Sequence, residues 1–501
     1  MYFNSSSEFI EAIYYAYYSN YDSETKKDIM SGIYEDYLIF GNKNNEFEEL
    51  YRELYSYNFN PQIDDNFLKQ YNGKILSIKQ LLHKKVKIHY LETSKYAKKF
   101  ILVEENNCKK CGNKDTKYFF KYNSDFKQNC IYCKKCVDFG ISNNIHYNFH
   151  IDKNLKNNYE NIELPKITLS PQQELASETL IKNCDENKNT LIWAVCGAGK
   201  TEIIYKLIYK SLKENKKICL AIPRKDVVIE LYKRIKKDFK ININILHGNE
   251  KQITDSLLYI MTTHQLVNYY NFFDVLIVDE VDAFPYYGDD VLEYSSLNSR
   301  KNNCPVVFLS ATPSKKIKNF VDEVCKIPIR YHQKLLPVPK IIIGKKESYN
   351  LNINTVLNFI KEVKNNKRRA LIFVPSIKIG GNLYNKLKSE VNKISFVSSL
   401  DSERENKIQD MHNYEIDILI TTTILERGVT FDYLDVFVYF ANHKHFTKEA
   451  LIQIAGRVGR KYYDYNGEVI FYAKENSKNI KSAIKEINYM NELAKYRKLV
   501  N

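Results

Sequence analysis

The sequence predicts an α/β protein with two tandem parallel-sheet domains, preceded by a small metal module and a mostly helical amino-terminal region. Three observations predict it. From Ser170 onward, short apolar runs alternate in two series with helical stretches of roughly 12 residues, the pattern of βαβ units. Between Cys108 and Cys136, cysteines recur at Cys-x-x-Cys spacing. The chain of 501 residues is also too long for one core, since a domain usually holds ~100 to 200 residues.

In chain order, residues 1–95 are rich in Tyr, Asn and acidic groups. Their apolar residues fall at helical spacing, as in Phe9, Ile13, Tyr14 and Tyr17, and no catalytic signature accompanies them. Residues 96–150 form the cysteine module, and the polar stretch Asp152 to Pro165 reads as a linker. Residues 160–335 hold the first sheet, with strands expected at Thr190 to Val195, Ile218 to Ile222, Ile243 to Leu246, Leu257 to Met261, Val275 to Val278 and Val306 to Leu309. Residues 336–475 hold the second, with strands at Ala370 to Val374, Ile394 to Val397, Ile416 to Ile420, Val436 to Tyr439 and Val469 to Tyr472. Pro337 to Tyr349 lies between the two series, and 476–501 form a charged terminal helix.

Composition narrows the class. Apolar residues make up 44% and charged residues 27% of the chain, the balance of a folded globular protein. No run reaches the ~18 to 20 apolar residues needed to cross a bilayer, and Met1 to Ile10 carries Glu8 without a basic-then-apolar pattern, so the expected location is the cytoplasm. A net charge of +15 attracts polyanions. A chain so crowded with Asn, Lys, Ile and Tyr would carry such a charge from codon bias too, so charge alone decides little.

Five of the ten cysteines cluster, and in a reducing compartment clustered thiols point to metal rather than to disulfides. Tetrahedral Zn2+ needs four ligands. Cys108 and Cys111 offer one arm, while Cys130, Cys133 and Cys136 compete for the other two places. Cys133 and Cys136 are favoured, with Cys130 as the alternative, because Val137 to Gly140 after Cys136 resembles a zinc-ribbon knuckle. Cys184, Cys196, Cys219, Cys304 and Cys325 stand alone and suit buried packing, although modification of Cys196 would crowd the neighbouring phosphate site.

Ala194-Val195-Cys196-Gly197-Ala198-Gly199-Lys200-Thr201 follows a strand and opens a helix. Its backbone N–H groups can therefore wrap phosphate oxygens at a helix N-terminus. Gly197, Ala198 and Gly199 let the backbone approach, Lys200 supplies charge to the β and γ phosphates of ATP, and the Thr201 hydroxyl can ligate Mg2+. Asp279-Glu280-Val281-Asp282 follows the apolar run Val275 to Val278, at the carboxyl end of a buried parallel strand where such sheets bind ligands. Asp279 would hold Mg2+, and Glu280 would position or deprotonate the attacking water.

From Leu169 to Arg460 the chain resembles the superfamily 2 helicases, motif by motif and in their order. The resemblance implies two RecA-like domains. It implies that Gln173 reads adenine, that Pro223, Arg224, Thr262, Thr263, His264, Thr422 and Thr423 contact nucleic acid, and that Ser310, Ala311, Thr312, Arg427, Gly428 and Gln453 couple nucleotide state to strand binding. It further implies that Arg457 and Arg460 reach across the cleft to the γ-phosphate, where guanidinium groups stabilise spread charge. Asp279-Glu280-Val281-Asp282 departs from the commonest acidic box but keeps both hydrolytic carboxylates.

With a four-cysteine module ahead of it, and with Trp193 and Glu202 flanking the phosphate loop, the chain is similar to the ComFA competence family. That resemblance implies a single-stranded-DNA-dependent ATPase at the inner face of the membrane, working with other competence proteins. A repair or replication-restart helicase, and a nucleic-acid scaffold without turnover, are the competing readings.

Overall fold

The computed structural model describes residues 65–500 apart from 78–79, 82–90, 92–93, 124–128, 154–158, 160, 249 and 345–352. Most of the helical region expected at 1–95 lies outside the described residues. Among the described residues, seven short strands build the amino-terminal module: β1 (Ile75–Ser77), β2 (Ala97–Phe100), β3 (Val103–Glu104), β4 (Asn107–Cys108), β5 (Phe119–Asn123), β6 (Asn129–Cys133) and β7 (Asn148–Ile151). They form an antiparallel sheet in the order β1-β7-β2 and two hairpins, β3-β4 and β5-β6.

Next come β8 (Thr190–Ala194), β9 (Ile218–Ile222), β10 (Asn244–His247), β11 (Glu250–Gln252), β12 (Leu258–Thr262), β13 (Val275–Asp279), β14 (Val306–Ser310) and β15 (Glu323–Ile327). Their order is β11-β10-β12-β9-β13-β14-β8-β15, parallel except where β11 turns back on β10. Every residue of β8, β9, β12, β13 and β14 is buried. Helices on both faces cover such sheets, which is why the strands read as continuous apolar runs.

The second sheet holds β16 (Lys340–Ile343), β17 (Arg369–Phe373), β18 (Ile394–Val397), β19 (Ile418–Thr421), β20 (Leu434–Tyr439) and β21 (Val469–Ala473). It is parallel throughout, in the order β16-β21-β20-β17-β19-β18. The terminal helix Lys478–Tyr496 packs Ile480, Ala483, Ile487 and Met490 inward and then reaches back to the first sheet. There Tyr489 stacks on Trp193 with ring centroids 6.0 Å apart, and Arg497 Nη1 donates to the Lys326 carbonyl at 2.9 Å.

Three edge strands escaped the sequence reading. β11 is wholly exposed, β16 nearly so, and β15 is buried only at Ile327. An edge strand exists by pairing with its neighbour, and a half-solvated row of mixed residues carries no continuous apolar signal. β16 also places part of Pro337 to Tyr349 inside the second sheet, against β21, instead of between the two sheets.

Candidate nucleotide site and cysteine cluster

β8 delivers the chain to the phosphate loop at the carboxyl edge of the first sheet. Gly197 and Gly199 take φ values of 81° and 74°, a region open to glycine without steric cost, and Gly199 ends the turn so that a helix starts at Lys200. A Cβ on Gly199 would lie 2.3 Å from Gln173 Nε2. Gln173 itself is buried, its Nε2 donating to the Ala198 carbonyl at 2.9 Å and its Oε1 accepting from Ser170 N–H at 2.8 Å. One end of its amide therefore braces the loop from behind while the other closes the capping box of its own helix, and these are the bonds made by the residue expected to read adenine.

In front of the loop lies a cleft of about 400 Å³ between the sheets, lined by Cys196 to Glu202, Asp279 and Glu280 on one side and by Gly428 to Thr430, Gln453, Arg457 and Arg460 on the other. Asp279 ends β13. Burial pushes its pKa up to about 6, and Glu280 adds to the effect while Lys200 opposes it. Its Oδ1 accepts the Glu280 N–H at 2.7 Å, and Glu280 sits at φ 51°. That left-handed backbone is uncommon for a non-glycine residue and turns the chain sharply between the two carboxylates.

Asp282, three residues on, is a hub. Ser310 Oγ donates to its Oδ1 at 2.7 Å. Its Oδ2 accepts from Thr312 Oγ1 at 2.6 Å, Arg427 Nη2 at 2.6 Å and Gln453 Nε2 at 3.3 Å. Burial opposes its charge, yet Arg427 and the two hydroxyls hold its carboxyl well below the usual range. Arg427, only 3% exposed, is likewise penalised by burial and held charged by Asp282, Glu280 and Glu426. Four of the residues expected to couple the domains thus converge on one carboxylate. Ala311 contributes through its carbonyl, which accepts from Trp193 Nε1 at 3.0 Å.

The two arginines of the last motif differ. Arg457 is buried and donates through Nε and Nη2 to the Glu426 carbonyl at 2.8 and 2.6 Å, and through Nη1 to the Val429 carbonyl. It tethers the loop after β19, and burial and the nearby Arg460 charge lower its pKa. Arg460, half-buried on the cleft wall, donates to the Gly456 carbonyl at 3.1 Å and to Thr430 Oγ1 at 3.2 Å.

Among the expected nucleic-acid contacts, Arg224 follows Pro223 at the start of a helix and donates to the Ile424 carbonyl of the second sheet at 3.1 Å. It therefore meets the segment that carries Thr422 and Thr423, both half-buried. Thr262 and Thr263 are buried, whereas His264 is exposed and lies against the Phe139 ring of the cysteine module at 6.2 Å.

Cys108, Cys111, Cys133 and Cys136 are buried with their ligand atoms all within 4.8 Å of one another. The Cys108 to Cys136 and Cys111 to Cys133 Sγ separations are 3.4 and 3.6 Å. Tetrahedral ligands about 2.3 Å from zinc lie roughly 3.8 Å apart, so the cage fits that ion and is far too open for disulfides, whose sulfurs sit about 2.0 Å apart. The three neighbouring cysteines push the Cys108 thiol down, and Cys108 in turn pushes those of Cys111 and Cys136 up, as close thiols cannot all ionise without a cation. Cys130 lies in β6 opposite Tyr122. The cage is docked on the helix Asp290–Ser299: Ser295 Oγ donates to the Lys110 carbonyl and Asn298 Nδ2 to the Lys109 carbonyl, both at 3.1 Å, and Val291 packs against the cysteines.

Two RecA-like sheets that close one ATP cleft, with a phosphate loop on one wall and paired arginines on the other, define a superfamily 2 helicase-type protein. Profile comparisons match "Type III restriction enzyme, res subunit" over residues 166–315, "Helicase conserved C-terminal domain" over 352–462 and "Competence protein ComFA N-terminal domain" over 62–147. Competence protein ComFA of Bacillus subtilis is 38% identical over 400 residues, covering 77% of this chain and 86% of that protein. Competence protein ComFA of Streptococcus pneumoniae is 43% identical over 336 residues, covering 65% and 78%. The chain belongs to the ComFA family of competence proteins. More distantly, replication restart protein PriA of Helicobacter pylori is 28% identical over 213 residues, 39% of this chain and 34% of that protein.

Two further residues matter at this site without a motif of their own: Asp282, and Arg330, which is buried beside the cleft and bonds from the segment after β15 to the Gly459 carbonyl. The first could have been found from its place in the acidic box. The second belongs to no motif, and only the tertiary contact exposes it.

Proposed function

We propose that this chain is an ATP-driven, single-stranded-DNA translocase that helps draw transforming DNA into the cell, acting at the cytoplasmic face of the membrane with other competence proteins. The observation that carries the reading is the Asp282 hub, which ties the acidic box of the first sheet to Arg427 and Gln453 of the second. A change at the nucleotide can therefore move one sheet against the other, and a strand gripped by both would move with them.

In this reading Gly197 to Lys200 cradle the phosphates and Lys200 neutralises the β and γ groups. Thr201 and Asp279 would hold Mg2+, which offsets phosphate charge when bound. Glu280 orients a water that attacks the γ-phosphorus as the bond to ADP breaks, and Arg460 faces the spread charge of the transferred group. Arg224, Thr422, Thr423 and His264 would grip the strand by its backbone, without base readout. Cys108, Cys111, Cys133 and Cys136 would hold one Zn2+, fixing the module beside His264. Among the described residues no helix is long and apolar enough to cross a membrane, so attachment there would be peripheral.

ATPase rates with and without single-stranded DNA, duplex DNA and RNA test the reading. Stimulation by single-stranded DNA is the expected result, and its absence sinks the translocase. The likeness to a replication restart protein favours a second reading, for which the mark would be strand separation on forked DNA with normal transformation in a deletion strain. Metal analysis near one zinc per chain, lost in Cys108→Ser, is expected, and unchanged metal content refutes the cage.

A further inference from the structure

The segment Ile327 to Gln333 belongs to no motif, yet it is bonded to the phosphate loop at two points. Val195 N–H donates to the Ile327 carbonyl at 3.1 Å and Tyr331 N–H to the Gly197 carbonyl at 3.2 Å. From this strut Arg330 crosses to the second sheet's domain, Nη1 donating to the Gly459 carbonyl at 2.5 Å and Nη2 to the Gly456 carbonyl at 3.4 Å. His332 Nε2 lies 3.1 Å from the same Gly459 carbonyl. These carbonyls bracket Arg457 and flank Arg460, so whatever holds the Gly456 to Gly459 turn also sets where both arginines stand.

The surroundings of Arg330 are unusual for a cation. It is 1% exposed, its Nε has no hydrogen-bond partner, and among the described residues no carboxylate pairs with it. Buried charges are ordinarily paired because desolvation is expensive. Burial and the Arg460 charge together push its pKa down to about 10. A nucleoside triphosphate in the adjoining loop would supply the negative charge that this corner of the protein lacks.

We propose that Arg330 is a positioning residue that makes closure of the cleft conditional on an anionic nucleoside triphosphate in the phosphate loop. Its charge opposes the approach of Arg460 until polyphosphate offsets both, and its two carbonyl bonds hold the Gly456 to Gly459 turn that carries Arg460. The proposal rests on the ATP-driven reading above, but it concerns closure by nucleotide and stands whether or not DNA stimulates turnover.

Energy transfer between dyes on the full chain tests it, one at exposed Leu175 and one at exposed Tyr414, read with no nucleotide, with ADP and with a non-hydrolysable ATP analogue. The native chain is expected to close with the triphosphate alone. Arg330→Lys, which keeps the charge, should retain most of that difference, while Arg330→Gln, which keeps donors but loses the charge, should lose at least about half of it. In ATPase assays the Gln variant should lose roughly tenfold in kcat with little change in KM, the mark of an interaction made after binding. The proposal is overturned if the native chain does not respond to triphosphate, if Gln behaves as native, or if Lys and Gln lose the response alike. Should the Gln variant not fold, His332→Ala decides from its half-buried position: a weaker loss of closure supports the strut, and a native response overturns it.

Discussion

Two carboxylates stand three residues apart at the end of one strand, both buried, and the protein treats them in opposite ways. Asp279 faces the cleft, and its charge is disfavoured, with a pKa pushed up to about 6. Asp282 faces protein and is held charged by Arg427, Ser310 and Thr312. The first is left for a ligand to complete, which is the usual state of a catalytic position. The second is completed by the other domain and so transmits position instead of chemistry. The sharp turn at Glu280 separates the two roles.

Breaking the ligand side should give the largest effect. Lys200→Ala should lower ATP turnover by about 10³ or more while leaving the melting temperature near native, as measured by steady-state ATPase and thermal unfolding. A comparable loss of melting temperature would mean that the loop is structural.

Breaking the protein side should act on stability. Asp282→Ala leaves Arg427 buried without its main partner, a change that typically costs about 3 to 5 kcal/mol, to be read by urea unfolding. A double variant, Asp282→Ala with Arg427→Met, should recover much of it, since no unpaired charge then remains.

The pH response should sharpen the contrast. In metal-free protein, the raised pKa of Asp279 contributes stability below its unfolded value of 3.8, and this is lost as pH rises through about 6. Asp279→Asn should therefore be more stable than the native chain at pH 8, by up to ~3 kcal/mol, with the advantage fading at pH 5. The depressed pKa of Asp282 works the other way: its stabilisation is present above 3.8 and is lost as pH falls through its folded value. Unfolding midpoints at pH 5 and pH 8 in the presence of a chelator check the sign for Asp279, and midpoints followed from pH 5 down to about pH 2 check the sign for Asp282.

The smallest effect is expected at Gln173→Ala, which removes the brace behind Ala198 and half of the capping box at Ser170. About 1 to 2 kcal/mol is expected from such bonds, with ATP affinity weakened less than adenine recognition would require. A large shift in preference between ATP and GTP would instead support the base-reading role.

Local chemistry made much of this molecule legible from its residues. The buried strands are continuous apolar runs, so their number and kind in the middle of each sheet could be read directly. Gly197, Gly199, Lys200 and Asp279 announce themselves because a phosphate cradle needs small residues and charge at fixed spacing beside a strand. Cys108, Cys111, Cys133 and Cys136 follow from paired turns. What stayed hidden depends on partners distant in sequence. Edge strands β11, β15 and β16 exist only through their neighbours, Gln173 and Arg457 turn out to spend their donors on protein carbonyls, and Arg330 acquires meaning from glycines more than a hundred residues away. A spacing rule can place a side chain on a turn or a strand. Which partner its hydrogen bonds reach is settled only when the two sheets pack, because that contact decides which charges are buried and which atoms are left to meet them.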